Sequence, residues 1–407
     1  MKNLSFEQRQ RFIVKLGKAL HKFGTPAYRL EKHLVNTADL LGQQAQFLIT
    51  PTSLTFVMFA EDGSQESSHI ERVKPGEINL AALASADQLV HDLVDAKISL
   101  GEAEKSLDVI VKGNCCYSPF TVFVAFVLTS VSFAILMLSD LSNILAAALL
   151  GVVVYALSNL AGKSRRVAHM LEPLAALIAG FLATILNSFY PEVNVPLTTL
   201  SAIILFIPGL SLTLGLSEIA ERDLISGTAR VMDSSMSLFK LYFGSHLGMV
   251  LGRLIFTASA PISVELIHPN FVWVGIVLIS LGLAVVFNTR PKDIVWGLSA
   301  GLLAYFFSRV GNYFVGEELS PFVGALAVGI YANMYSRLQK APASIALLQG
   351  IVVLVPGSKT YISLSTQVSG QSMIMNPTMG HQVFLIFMSI VAGITFASLI
   401  VPPERSL

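Results

Sequence analysis

Ten long apolar runs dominate the sequence from residue 117 onward and constrain the fold more than any other feature. An α-helix needs about 20 predominantly apolar residues to cross a bilayer, and each run is close to that length. The chain is 53% hydrophobic and only 13% charged, which is far from the composition of a soluble domain. We predict a polytopic membrane protein with spans at 117–138, 141–161, 171–190, 197–216, 237–258, 271–288, 292–311, 319–337, 343–364 and 380–401.

The residues before the first run have the pattern of a small α+β domain. Apolar residues at helical spacing predict helices in 5–23, 28–42, 79–100 and 102–112, and β-rich runs predict strands in 45–51, 53–59 and 67–73. We therefore divide the chain into a cytoplasmic α+β domain (1–113) and two five-span modules (114–260 and 261–407).

Lysine and arginine are distributed unevenly among the loops between the runs. Positive residues are held on the cytoplasmic side of a membrane, and the N-terminus lacks the apolar core and cleavage site of a signal peptide. Every second loop is free of Lys and Arg, which predicts that both termini are cytoplasmic. The positive loops contain Lys163, Arg165 and Arg166; Arg222 and Arg230; Arg290 and Lys292; and Arg337 and Lys340.

The two halves of the membrane region share a pattern of residues. Because each half has five spans, an odd number, the second copy must enter the membrane upside down, which is the inverted repeat of many secondary transporters. Chance similarity among Gly-rich and Leu-rich helices is the alternative. The aligned pairs are Gly151 with Gly301, Tyr155 with Tyr305, Ser158 with Ser308, Pro173 with Pro321, Gly180 with Gly329, and Pro196 with Pro342.

A Pro-Gly pair interrupts the corresponding span of each half, at Pro208-Gly209 and Pro356-Gly357. Proline removes a backbone donor and glycine tolerates a non-helical dihedral, so each helix should break in mid-span. The N-terminus of a half-helix favours an anionic group such as a carboxylate. A simple kink, with hydroxyls bonded back to the helix, is the alternative. The predicted substrate-binding residues are Pro208, Gly209, Ser211, Thr213, Pro356, Gly357, Ser358, Lys359 and Thr360.

Two polar residues of the first module are candidates for ion coupling or gating. Glu218 shares a helical face with Ser211 and Arg222, so it would face the cavity or pair with Arg222 at i, i+4. At membrane depth such a carboxylate would suit proton or cation coupling, whereas a solvated helix end is the alternative. Asn159 is the weaker candidate, because a buried amide more often joins helices.

Motifs for metal, nucleotide or catalytic sites are absent from the sequence. There is no HExxH, no Cys–His ligand spacing, no Walker loop, no G-x-S-x-G and no Rossmann fingerprint. We therefore predict no metal, no cofactor and no enzyme activity, and no basic block indicates nucleic acid. Cys115 and Cys116 are adjacent, which disfavours a disulfide between them and predicts free thiols at the membrane boundary.

Residues 23–42, residues 72–110 and the two Pro-Gly segments together resemble the threonine/serine exporter family, over nearly the whole chain. The resemblance implies export of small polar amino acids by an ion gradient across a bacterial cytoplasmic membrane, and two-subunit relatives imply dicarboxylates. It carries over Gly227 and Arg230 as coupling or gating residues, besides the Pro-Gly pairs. Asn376-Pro377-Thr378 stands where the second module would match Gly227 to Arg230, which departs from a symmetric site.

We predict from these features a secondary transporter that exports threonine or serine by alternating access at a midplane site. Its partners would be the small amino-acid or carboxylate substrate, a proton or cation gradient and the lipid bilayer; a homo-oligomer is left open. The alternatives are a dicarboxylate exporter, a channel, and a membrane-anchored sensor or enzyme acting through residues 1–113.

Overall fold

The computed structural model of this chain describes residues 5–60, 66–113, 116–256, 266–369 and 379–405. Its first part is the predicted α+β domain, in which four helices pack around one sheet of three antiparallel strands. The elements are α1 (Phe6–Lys22), α2 (Ala27–Leu40), β1 (Gln44–Thr50), β2 (Ser53–Phe59), β3 (Glu66–Arg72), α3 (Leu80–Val94) and α4 (Leu100–Lys112).

Local sequence explains where these elements begin and which face they bury. Ser5 and Ser99 each start a helix with a capping box, in which the serine and the residue three positions later satisfy each other's free amides. The central strand β2 alternates, with Leu54, Phe56 and Met58 buried against the helices. The order β1-β2-β3 follows the chain, so the prediction of a small sheet is confirmed.

The rest of the described chain is helical. Asp140 and Asn194 cap two of these helices with side-chain oxygens, and a proline stands in the first turn of α5 and of α14. The helices are α5 (Pro119–Leu136), α6 (Leu141–Lys163), α7 (Arg165–His169), α8 (Leu171–Phe189), α9 (Val195–Ile203), α10 (Gly209–Ala220), α11 (Leu224–Ile255), α12 (Phe271–Val286), α13 (Ile294–Val315), α14 (Ser320–Gln339), α15 (Ser344–Leu354), α16 (Gly357–Ser369) and α17 (Met379–Ile400).

Length and composition support fewer spans than the ten predicted. Among the described residues, five helices are long and apolar enough to cross a membrane: α5, α6, α8, α13 and α17. Two bent pairs, α9 with α10 and α15 with α16, raise the number to seven if each pair is one span. The predicted spans 237–258, 271–288 and 319–337 coincide with α11, α12 and α14, which do not meet the same criteria; α12 has only 16 residues. A multi-pass membrane protein is thus confirmed, and ten spans remain a prediction.

Corresponding aromatic residues of the two halves make corresponding contacts. Tyr155 of α6 packs edge-on against Phe123 of α5, with ring centroids 5.3 Å apart. Tyr305 of α13 packs edge-on against Trp273 of α12, with ring centroids 4.9 Å apart. The sequence separation between Phe123 and Trp273 equals that between Tyr155 and Tyr305. The packing of α5 on α6 therefore resembles that of α12 on α13 at this level.

A second pair of contacts repeats between the same helices. A β-carbon built on Gly151 would lie 2.8 Å from the hydroxyl oxygen of Ser130 on α5. The β-carbon of an alanine at Gly301 would likewise meet the hydroxyl of Ser280 on α12. Both glycines thus allow close approach of the neighbouring helix at a serine.

The α+β domain lies against the helices of the membrane region. The amides of Leu80 and Ala81, at the start of α3, donate to the carbonyls of Phe287 (2.9 Å) and Asn288 (3.0 Å) after α12. Near the C-terminus, Arg405 pairs with Asp87 of α3 at 2.5 Å, and both side chains are buried. The domain is therefore joined to the membrane region by several separate contacts.

Candidate substrate site

The two Pro-Gly pairs break their helices as the sequence predicts. The first break separates α9, with a short 3₁₀ turn at Ile204–Phe206, from α10, and the two parts are bent by 52°. The second separates α15 from α16, with a bend of 41°. Proline has no N–H to donate to the preceding turn, so the first helix of each pair ends before it. The following half-helix begins at the next residue, Gly209 or Gly357.

The two glycines face each other where the broken helices meet. A β-carbon built on Gly209 would lie 3.1 Å from the Cα of Gly357 and 2.6 Å from Val355 Cγ1. A β-carbon on Gly357 would lie 3.6 Å from the Cα of Gly209 and 3.1 Å from Ile207 Cγ2. Gly209 thus packs against Gly357 and Val355, and Gly357 packs against Gly209 and Ile207. The N-termini of two half-helices, with their positive dipole ends, converge at this point. The Gly209 amide itself donates to the Ile207 carbonyl at 2.8 Å.

A cavity of about 1100 Å³ borders both breaks. Phe133 of α5 and Ile276 and Ile279 of α12 also line it. Irregular backbone at membrane depth is tolerated where it borders such a cavity. The cavity is lined by seven of the nine predicted substrate-binding residues: Pro208, Gly209, Ser211, Pro356, Gly357, Ser358 and Lys359.

The two threonines of the predicted site do not line this cavity. Thr213 is fully buried, and its hydroxyl donates to the carbonyl of Gly209 at 3.1 Å. The hydroxyl of Thr360 donates to the carbonyl of Pro356 at 2.7 Å. Both follow the back-bonding to i−4 that is common in membrane helices, so these hydroxyls stabilise the turns after the breaks.

Several charged side chains line the cavity, and of these only Lys359 was predicted as a site residue. Lys359 Nζ lies 2.6 Å from Glu317 Oε1 in an ion pair that is partly exposed. Glu172 accepts a hydrogen bond from Ser237 at 3.1 Å and lies 3.6 Å from Lys240 Nζ. The cavity is also lined by Asp233, Arg309 and Asn312, and by Gly76, Glu77 and Ile78 of the α+β domain.

Glu218 is fully buried and does not line the cavity, so the predicted cavity-facing position is wrong. Its carboxylate accepts from Arg230 Nε (3.1 Å) and Nη2 (3.0 Å), from the Ser226 hydroxyl (3.1 Å) and from the amide of Ala27 (2.9 Å). The predicted pair with Arg222 is wrong because α10 ends at Ala220 and Arg222 has a positive φ of 68° in the following turn. The carboxylate thus caps the N-terminus of α2 and joins the two parts of the protein.

The other gating candidates lie away from the cavity. Gly227 allows α11 to cross α10 closely, since its β-carbon would lie 2.7 Å from the carbonyl oxygen of Gly215. Asn159 is exposed on α6. Cys116 is exposed, while Cys115 and Asn376-Pro377-Thr378 fall outside the described residues.

Glu31 and Asp223 line one small pocket where α2 meets the turn between α10 and α11. Burial raises the pKa of Glu31, and the charge of Asp223 raises it further. Burial likewise raises the pKa of Asp223, with a smaller contribution from Glu218. In the α+β domain, burial lowers the pKa of His21 on α1. Within the described ranges, no group of three His, Cys, Asp or Glu side chains could hold a metal ion.

Apolar helices, two mid-span breaks and a cavity between them define a multi-pass membrane protein with broken helices. Residues 11–252 match the family model described as threonine/serine exporter, and residues 272–400 match the one described as Threonine/Serine exporter, ThrE. The chain belongs to the threonine/serine exporter family. That family is one of membrane exporters with small-molecule substrates and not of enzymes.

Fungal membrane proteins are among the relatives of this chain. Pheromone-regulated membrane protein 10 of Eremothecium gossypii is 28% identical over 389 residues, which cover 91% of this chain and 51% of that protein. The protein of the same name from Kluyveromyces lactis is 28% identical over 385 residues, covering 91% and 40%. An uncharacterized protein of Schizosaccharomyces pombe is 28% identical over 372 residues, covering 86% and 47%. The chain thus spans about half the length of these relatives or less. No solved structure matches it.

Proposed function

We propose that this protein is a secondary transporter that exports a small carboxylate-bearing amino acid, threonine or serine, by alternating access. The contact between Gly209 and Gly357 carries the proposal, because it brings two half-helix N-termini to one point beside the cavity. Amides and dipole ends at such a point favour a carboxylate. Ser211 and Ser358 line the same cavity and would hydrogen-bond the polar side chain of the substrate.

The proposed architecture is ten spans in two inverted modules. Three observations support it: the matching contacts of Tyr155 and Tyr305, the matching contacts of Gly151 and Gly301, and the meeting of the two breaks. In such an arrangement one module rocks against the other around a fixed site. Glu218 is engaged by Arg230 and Ala27, so it would not carry the proton or cation whose gradient drives transport.

A dicarboxylate such as succinate is the second candidate substrate. Two half-helix N-termini meet at the site, and each could take one carboxylate. Lys359, two residues after the second break, lines the same cavity, and a second carboxylate would take the place of its ion-pair partner Glu317. These features favour a second carboxylate over an ammonium group at that end.

The proposed orientation places both termini on the cytoplasmic side of a bacterial cytoplasmic membrane. The alternation of Lys-rich and Arg-rich loops with loops free of both supports the orientation. The family resemblance supports the bacterial membrane.

Counterflow in proteoliposomes tests this function. Liposomes loaded with unlabelled threonine, serine or succinate are compared for uptake of trace labelled solute, with and without a proton or sodium gradient. We expect saturable counterflow of threonine and serine that an imposed gradient accelerates. Counterflow of succinate alone would favour the second candidate, and flux that is neither saturable nor gradient-coupled would indicate a channel.

A further inference from the structure

A short segment of the α+β domain lies in the wall of the cavity. Gly76, Glu77 and Ile78 line it together with Val286 and Phe287 at the end of α12. Immediately after this segment, the amide of Leu80 donates to the carbonyl of Phe287 at 2.9 Å. The segment therefore closes the side of the cavity next to the end of α12.

The segment is fixed within its own domain. The amides of Glu77 and Asn79 donate to the carbonyls of Lys22 (3.2 Å) and Phe23 (3.3 Å) at the end of α1. The Cα of Gly76 comes so close to His21 that a β-carbon there would collide with the His21 carbonyl oxygen. A segment that is both hydrogen-bonded to the end of α1 and packed closely against it keeps its shape, so it forms part of the wall.

The domain that carries this segment is also attached to the first broken helix. Ala27 at the start of α2 donates to Glu218, which lies on α10, the half-helix that begins at Gly209. The domain thus contacts the first module through α10 and the second module after α12. If the modules move relative to each other, residues 76–78 would therefore move relative to at least one of them.

We propose that residues 76–78 form a wall of the substrate pathway and that the α+β domain is a working part of the carrier. This inference rests on the proposed function, because it names a further segment that the transported solute passes. A domain that served only as an anchor or a distant regulator would leave the cavity wall to the membrane helices. Substrate that passes Ile78 would shield it from reagents in water.

Thiol labelling of a single cysteine tests the proposal in the full chain. In a background with Cys115→Ser and Cys116→Ser, Ile78→Cys is compared with Ile70→Cys, an exposed isoleucine of β3 in the same domain that does not line the cavity. A bulky, charged methanethiosulfonate reagent is applied to the purified protein, and threonine counterflow and the labelling rate are measured. Glu77→Cys is the second cavity variant, in case Ile78→Cys does not fold.

We expect labelling of the Ile78→Cys thiol to reduce counterflow about tenfold or more, and saturating threonine to slow its labelling, with neither effect in Ile70→Cys. Complete labelling of both cavity variants, confirmed by mass, with unchanged counterflow and no protection by threonine would overturn the inference while leaving the carrier intact. Absence of counterflow for threonine, serine and succinate in the unlabelled background protein would overturn the proposed function and this inference with it.

Discussion

The Cα of Gly357 lies 3.1 Å from the position that a β-carbon on Gly209 would occupy, although 148 residues separate the two glycines. No side chain fits between the two breaks. Because the contact involves backbone on the Gly357 side, an added methyl group at Gly209 can be accommodated only by moving a half-helix. The distance between the two half-helix N-termini is therefore set by these glycines.

Gly209→Ala should reduce transport more than Gly357→Ala does. The first methyl would meet Val355 Cγ1 at 2.6 Å and the Gly357 backbone, whereas the second would meet Ile207 Cγ2 at 3.1 Å. Overpacking of this kind costs about 1–3 kcal/mol, enough to separate the half-helices. Adding Val355→Ala to Gly209→Ala should restore part of the counterflow rate. Equal loss in both single variants, with no effect of Val355→Ala, would contradict the packing described.

Lys359→Gln should raise the substrate concentration for half-maximal counterflow by about tenfold, because a positive charge beside the anion site is lost. Glu317→Gln should not weaken binding, since it leaves Lys359 in the cavity without its partner. The pair is partly exposed, so either change should shift the apparent melting temperature little. Equal losses of transport in both variants would indicate instead that the intact ion pair is what matters.

Arg230→Ala should lower the free energy of unfolding by about 3–5 kcal/mol, because it leaves the fully buried Glu218 carboxylate without its cation. Adding Glu218→Gln should recover part of that loss, since a neutral amide can still accept from Ala27. Arg222→Ala, which changes an exposed side chain in the nearby turn, is the control and should be close to neutral. Thermal unfolding of the full chain in detergent measures all three.

Acid should destabilise the α+β domain through His33. Burial lowers the pKa of His33 from 6.5 to about 4, with a smaller contribution from the charge of His91. Because the folded pKa lies below the unfolded one, the contribution of neutral His33 is complete above about pH 6.5 and is lost as the pH falls to about 4, a loss of about 3 kcal/mol. His33→Leu should flatten the dependence of the melting temperature on pH in this window. An unchanged slope in His33→Leu would show that other groups cause it.

The membrane class, the α+β domain and both helix breaks could be predicted from the sequence because each depends on local chemistry. Long apolar runs, strand alternation and Pro-Gly pairs act within about 20 residues of chain. Local chemistry does not decide which hydroxyl groups after the breaks line the cavity. Thr213 and Ser211 have similar chemistry, and only the direction of each side chain decides that Ser211 lines the cavity while Thr213 bonds to its own helix.

Contacts between residues that are far apart in the sequence could not be predicted. The i, i+4 rule paired Glu218 with Arg222, but the left-handed conformation of Arg222 ends that geometry and Arg230 on the next helix replaces it. The contact of Glu218 with Ala27 crosses 191 residues and leaves no periodic signal. Ile78 follows Pro75-Gly76 in the α+β domain, and nothing in the sequence pattern indicates that it lines a cavity in the membrane region.

Threonine counterflow by glycine variants tests the central claim, that the two breaks together form the transport site. Gly209→Leu and Gly357→Leu are compared with Gly162→Leu, a change within α6 where a β-carbon would meet nothing within 4 Å. All three must reach the membrane and unfold at a temperature near that of the parent. We predict counterflow at the level of protein-free liposomes for the first two and near the parent rate for Gly162→Leu. Normal counterflow in both Gly209→Leu and Gly357→Leu would contradict the account.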